Sequence, residues 1–249
     1  MPRKVKNALA YTGAFVFWIA VWHIAASAAN KKLLLKVPLP IDTVKEFFRI
    51  CDKAVFWKAV GTSVLHILCG FGLAVVLGTV FGVLSGNIKP FKILSMPILH
   101  LIRSVPVAAF IVIAWLWIPS AVLPSFISCL MVLPIIWSHV DAGLLAIDNR
   151  LVEMARVYRM ERKDIILKIK LPMISPYLRT GCITGLGIAW KSGVAAEVIC
   201  NPGGSIGALL QGAKTAINYE RVFAVTLMVV LLSLLLENIL KVLWKEQKR

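Results

Sequence analysis

The chain has 249 residues, 59% of them hydrophobic and only 16% charged, where a soluble domain carries about 25% charge. That composition excludes an ordinary soluble enzyme or binding module and identifies an integral membrane protein. The formal charge of +16 sits at the ends of apolar stretches rather than along one soluble face, so it does not describe a nucleic-acid surface.

Six stretches reach the roughly 20 residues needed to cross a bilayer: 8–29, 61–86, 93–118, 121–146, 176–199 and 222–240. The first follows a basic start like that of a signal peptide. Its apolar run, Ala8 to Ala29, is too long for a signal core and indicates a retained span. Residues 41–60 mix apolar and charged positions at helical spacing, which predicts an outer interfacial amphipathic helix rather than a further crossing. The second span has no Lys, Arg, Asp or Glu over 26 residues; as a helix of about 39 Å it should tilt or project from the bilayer. In that span Gly70, Ala74, Gly78, Gly82 and Gly86 recur every fourth residue, and Gly181, Gly185, Ala189 and Gly193 do so in the fifth. Such stripes let helices approach closely in lipid, and packing within the chain is the simpler use than a seam between two copies.

Cys69, Cys129 and Cys182 lie inside apolar segments, and with Cys51 and Cys200 they make an odd set without a CxxC pair. They are small packing residues, not a disulfide or metal framework. Arg103, His139, Asp141, Lys191 and Glu197 fall within the spans, where ionisable groups are costly, and they are the candidates for a translocation pathway. Glu197 continues the small-residue stripe of the fifth span. His139 and Asp141, two residues apart, point in different directions and do not form a metal pair. His23, His66 and His100 stand singly in apolar runs, as packing residues do. Glu237 precedes Lys241 by four residues, the spacing of a structural ion pair.

Between the fourth and fifth spans lies a charged island, 153–172. Counting from residue 150 it carries Arg150, Arg156, Arg159, Arg162, Lys163, Lys168 and Lys170 against Glu153, Glu161 and Asp164. Its pattern predicts two short basic helices, the second ended by Pro172 before the next span. Basic residues at span ends put both termini and this island inside. The segment 30–60 dissents, since it carries seven basic residues on the outer side.

Glu153 and Ala155, followed by Ile169, Lys170, Leu171 and Pro172, resemble the cytoplasmic EAA loop of bacterial ABC-importer permeases, whose pattern is E-A-A-x-x-x-G, nine variable residues, then I-x-L-P. The resemblance is specifically to the nitrate/taurine-type permeases and covers about residues 38–240. It is carried by Pro38-Leu39-Pro40, Arg103-Ser104-Val105-Pro106, Ala142-Gly143, Asp148-Asn149-Arg150-Leu151, Trp190-Lys191 and Val194-Ala195-Ala196-Glu197. Two positions depart from the pattern. Met154 replaces the middle Ala, and Arg159 replaces the Gly between the short helices. Because Arg avoids positive φ, the bend is expected to be helical here or built differently.

The resemblance implies an all-α membrane protein with the six-helix type I ABC-importer permease fold, residues 1–249 forming one transmembrane domain with a coupling loop at 148–172. It implies that Glu153 and Ala155 sit at a face docking onto separate ABC ATPase subunits, with Arg156 and Arg159 as ionic contacts. Leu171 and Pro172 would then pass loop movement into the fifth span. It further implies a second permease copy as a homodimer, an external substrate-binding protein, and a place in the bacterial inner membrane. ATP and Mg would sit on the ATPase subunits, with no cofactor on this chain. The solute would be small and polar: a sulfonate, a nitrate-like anion or a pyrimidine vitamin precursor. The run Gly207 to Thr215 nearly matches a phosphate-binding loop, but Ala213 is one residue too many and no strand precedes it. Two other classes fit less well. A membrane-embedded enzyme lacks a nucleophile–base spacing, and a self-contained channel or carrier would need no ATPase.

Overall fold

The computed structural model describes residues 3–32 and 36–245, side chains at 3–11, 32, 149, 156, 162 and 245 excepted. In chain order its helices are α1 (Arg3–Lys32), α2 (Pro40–Cys51), α3 (Ala54–Asn87), α4 (Lys89–Ser104), α5 (Val107–Trp115), α6 (Leu123–Leu145), α7 (Asn149–Val157), α8 (Arg162–Asp164), a π-helical segment (Ile165–Lys170), α9 (Leu171–Cys200), α10 (Ile206–Thr215) and α11 (Tyr219–Lys245). Helices at α1, α3, α6, α9 and α11 are each long and apolar enough to span a bilayer, and the bent pair α4–α5 makes a sixth candidate.

The centre of the bundle is α6, flanked by α3 and α9. A Cβ on Gly78 would come within 2.8 Å of Ile136, on Gly82 within 2.7 Å of Val140, and on Gly86 within 2.6 Å of Leu144; one on Gly70 would strike the Ser125 carbonyl. The second stripe serves the other side of α6: a Cβ on Gly185 would come within 2.9 Å of Val132, and one on Gly181 within 3.1 Å of His139. A Cβ on Gly193 would come within 2.5 Å of both Ile67 and Ser128, so the glycine lets α3, α6 and α9 join. Both stripes therefore pack within the chain. The resulting core holds Ile67, Ala74, Val132, Ile136, Val140, Ala189 and Trp190.

Three expectations are refined. The amphipathic stretch 41–60 breaks after α2, and α3 already begins at Ala54. The α2 helix turns Thr43, Glu46 and Ile50 inward and leaves Ile41, Val44 and Phe48 exposed. Its ion pair from Glu46 to Arg221, at 3.1 Å, ties it to α11. The span expected at 93–118 is bent by 101° between α4 and α5. Pro106 cannot donate to α4 and holds Val105 extended, at φ −82° and ψ 132°, which ends the helix. Lastly, Pro172 does not end a helix. The π segment runs into α9 with Pro172 in its first turn, and the Leu171 amide bonds to Ile166 five residues back. A proline clashes with the carbonyl four residues earlier, and the wider π turn lies where that clash would fall.

Candidate functional site

The charged island is a compact hairpin between α6 and α9. The Asp148 side chain opens α7 by accepting the Arg150 amide at 2.9 Å, a helix cap read directly from the sequence order Asp-Asn-Arg. At the other end of α7 the Met160 amide bonds to the Ala155 carbonyl at 3.0 Å, and Arg159 stands between them at φ 54°. That is a Schellman turn with its left-handed position filled by Arg. The expectation of a helical or rebuilt bend is thus corrected: the left-handed geometry is present and Arg159 adopts it. The Lys170 ammonium reaches Asn87 at 3.4 Å, fastening the far side of the hairpin to the end of α3.

The two faces of α7 differ. Ala155 is fully buried, so its expected place on a docking face is corrected: its side chain faces the inside of the hairpin. Leu151, Met154, Val157 and Tyr158 are exposed, the last two at 80% and 76%. Glu153 and Arg159 are exposed beside them. The α7 backbone is helical at Arg156, whose side chain lies outside the described residues. Leu171 is exposed at the start of α9, next to Pro172.

Of the intramembrane candidates, Glu197 is completely buried. Its Oε2 accepts the Ser63 hydroxyl at 2.6 Å and the Gly207 amide at 3.2 Å. Ser63 in turn accepts the Ile206 amide at 2.8 Å. The carboxylate thus caps the N-terminus of α10 and joins it to α3 and α9, a placement that suits the positive end of a helix. A Cβ on Gly207 would collide with Glu197 itself. His66 lies 3.6 Å from its other oxygen. His139 hydrogen-bonds to Ile135 of its own helix and packs against Gly181 of α9. Lys191 is on the exposed face of α9.

Asp141 and Arg103 both line the α4–α6 crevice, each with its own partners. Asp141 accepts Lys92 at 2.7 Å and Ser85 at 3.2 Å. Arg103 donates to the Pro134 carbonyl at 2.9 Å and to the Ser138 hydroxyl. Sequence reasoning missed Lys92, Ser85, Ser138, Ser63 and Gly207. Their partners lie up to 143 residues away, and no local pattern marks them. The Glu237–Lys241 pair forms at 3.5 Å. The run Gly207–Thr215 lies wholly within helix α10, not in a phosphate-cradling loop. Among the described residues no group of three His, Cys, Asp or Glu side chains is placed to hold a metal.

Comparison with known proteins gives a consistent picture. The sequence model described as "binding-protein-dependent transport system inner membrane component" matches residues 56–248. A nitrate import permease protein of Leptolyngbya laminosa is 27% identical, over 94% of this chain and 85% of its own length. A bicarbonate transport system permease protein of Synechococcus elongatus is 26% identical over 79% and 74%. Among solved structures, a methionine ABC transporter in inward-facing conformations superposes with a TM-score of 0.66 at 18% identity, covering 78% of this chain and 97% of that one. An amino acid ABC transporter gives 0.64 at 13%, covering 82% and 97%. The fold is that of the type I ABC-importer permeases.

Proposed function

The chain belongs to the binding-protein-dependent transport system inner membrane component family, and we propose that it is the permease subunit of an ATP-driven importer for a small oxyanion. Two copies would form the path, an external binding protein would deliver the solute, and separate ATPase subunits would dock on the 148–172 hairpin and hydrolyse ATP with Mg. The chain itself carries no catalytic role in this reading. Relatives named for nitrate and bicarbonate transport support the anion class.

The observation that carries the coupling role is the outer face of α7. Leu151, Met154, Val157 and Tyr158 project from a hairpin that also bears Glu153 and several cations. An apolar face rimmed by charge, outside the spans, is the composition of a protein interface rather than of a solvated loop. Ala155 and Ile165, both buried, brace it from behind. The side of the hairpin toward α9 is continuous helix, so displacement of α7 would be transmitted to the span without a flexible joint.

Coexpression of the tagged chain with the ATPase encoded beside it should yield a stable complex containing two permease copies. Glu153→Lys should insert normally but lose ATP-driven uptake. Recovery of the permease alone under these conditions, or unimpaired uptake by Glu153→Lys, would count decisively against the docking role.

A further inference from the structure

We propose that the cleft among α2, α3, α10 and α11, at the bundle end opposite the hairpin, is a site for one anionic phospholipid. Its phosphate is held by Lys53 and Arg221, and an acyl chain lies against Val55 and Leu209. This goes beyond the transport reading and does not depend on the solute carried. The cleft has a volume of about 270 Å³ and is lined by Ile50, Val55, Phe56, Leu209 and Val225, with Lys53 and Arg221 as its charged members. Val55 is 68% exposed and Leu209 half-buried, so both are open to a ligand, while Ile50, Phe56 and Val225 close the floor. Each cation stands where a span begins, Lys53 just before α3 and Arg221 in the first turn of α11. Phe56 and Val225 follow them by three and four residues, so the apolar floor lies roughly 5 Å further along each span. Charge at the mouth over an apolar floor matches the division between headgroup and acyl chain.

Charge selects the kind of lipid. Arg221 donates its Nε to Glu46 at 3.1 Å, and Arg49 reaches the other Glu46 oxygen at 3.5 Å. Two arginines thus share one buried carboxylate, and Lys53 forms no ion pair among the described residues. Asp42 and Glu220 line a separate cavity. Asp52 is exposed beside Lys53, but across 30–60 seven basic residues stand against three acidic ones. The surroundings place the cleft at the membrane surface. The α2 helix exposes Ile41, Val44 and Phe48, and Trp57, half exposed, donates its indole N–H to the Cys51 carbonyl at 2.7 Å. An amphipathic helix with an exposed Trp beside it belongs at the boundary between headgroups and acyl chains. A soluble acidic protein meets charge in water but not an apolar floor inside the spans, which favours a lipid. Such a lipid would bridge four helices and give the basic residues of this end an anionic partner.

Native mass spectrometry tests this. The full chain, purified in detergent and stripped of lipid, is titrated with dioleoyl phosphatidylglycerol or dioleoyl phosphatidylcholine, and the first bound lipid is counted. A cation near a headgroup contributes about fivefold in affinity, so two should favour phosphatidylglycerol by about 25-fold. Lys53→Gln, at an exposed position, should cut that preference to about fivefold, while Lys168→Gln in the hairpin should leave it unchanged. Arg221 is kept in place because it neutralises Glu46. Leu209→Phe, which narrows the cleft, should weaken both lipids by about tenfold through displaced methylenes. Glycerol phosphate, the headgroup without chains, should not compete. Equal affinity for the two lipids overturns the site, as does a preference that survives Lys53→Gln or falls equally with Lys168→Gln. Competition by glycerol phosphate assigns the cations to a free phosphate and also overturns it. Binding unchanged by Leu209→Phe removes the acyl chain from the cleft, and the Lys53 comparison decides the site even where that variant does not accumulate. Loss of dimer in Lys53→Gln, with neither lipid retained by the unaltered chain, makes the cleft a seam between copies and overturns the lipid.

Discussion

Arg159 stores strain where the hairpin turns. A left-handed φ costs a non-glycine residue about 1–2 kcal/mol, and Arg159 accepts it at φ 54° because the Met160–Ala155 hydrogen bond fixes the turn. Replacing it by Gly should relieve that strain, less about 0.5 kcal/mol for the added freedom of the unfolded chain. We therefore expect Arg159→Gly to raise the thermal midpoint of the detergent-solubilised protein, and Gly204→Ala, at φ 74°, to lower it. A lower midpoint for Arg159→Gly would show that the Arg side chain contributes more than its backbone costs. The sequence marked this residue as out of place without showing how the bend was kept. The demand for positive φ comes from the hairpin's hydrogen bonding, not from the residue that meets it. Glu197 shows the opposite limit. Its position beside the stripe was readable, but Ser63 approaches it from 134 residues away, and no spacing rule reaches that far.

At the scale of helices, the stripes were the most legible feature, because close approach in lipid needs small residues at every fourth position. The close approach is confined to the stripe's side of α3. A Cβ at Gly78 meets Ile136 at 2.8 Å, whereas one at Gly72 meets nothing within 4 Å. Gly78→Val should force α3 from α6 and cost about 1–3 kcal/mol by overpacking, while Gly72→Val should be near neutral. Both changes carry the same helix-propensity term, so comparing the two midpoints isolates the contact. Equal midpoints would mean that the helices separate without penalty. The bend in α4–α5 was less legible than the stripes. Val105-Pro106 is a helix-ending signal, but the apolar run through 93–118 continues across it, and hydrophobic length says nothing about direction.

Across the whole molecule the question is how many times the chain crosses. Contacts at the two ends of the bundle decide whether α4–α5 crosses or doubles back. Lys92 pairs with Asp141, and Lys170 with Asn87, at the hairpin end. At the other end Cys200 lies 3.7 Å from the Ser120 carbonyl, near the junction of Glu197 with Ser63. The bent pair therefore starts at one end and finishes at the other, as a span does. The α11 helix runs antiparallel to α9, with Val229 accepting the Trp190 indole and Glu237 opposite Gly187. Its C-terminus returns to the hairpin end. Trp22 stacks on Phe223 at 5.8 Å, so the C-terminal part of α1 lies at the opposite end. Six crossings follow, with the start of α1 and the end of α11 on the hairpin side; from the charge bias we propose that this side is the inner one. The seven basic residues of 30–60 oppose this assignment. However, α2 holds Arg221 against its buried Glu46, and the cations at span ends and in the hairpin outnumber those of 30–60. A fluorescent-protein fusion after Arg249 should be fluorescent, and alkaline phosphatase inserted at Gly203 should be active. Phosphatase activity from a C-terminal fusion would reverse the orientation and would place the α7 face outside, beyond the reach of any ATPase.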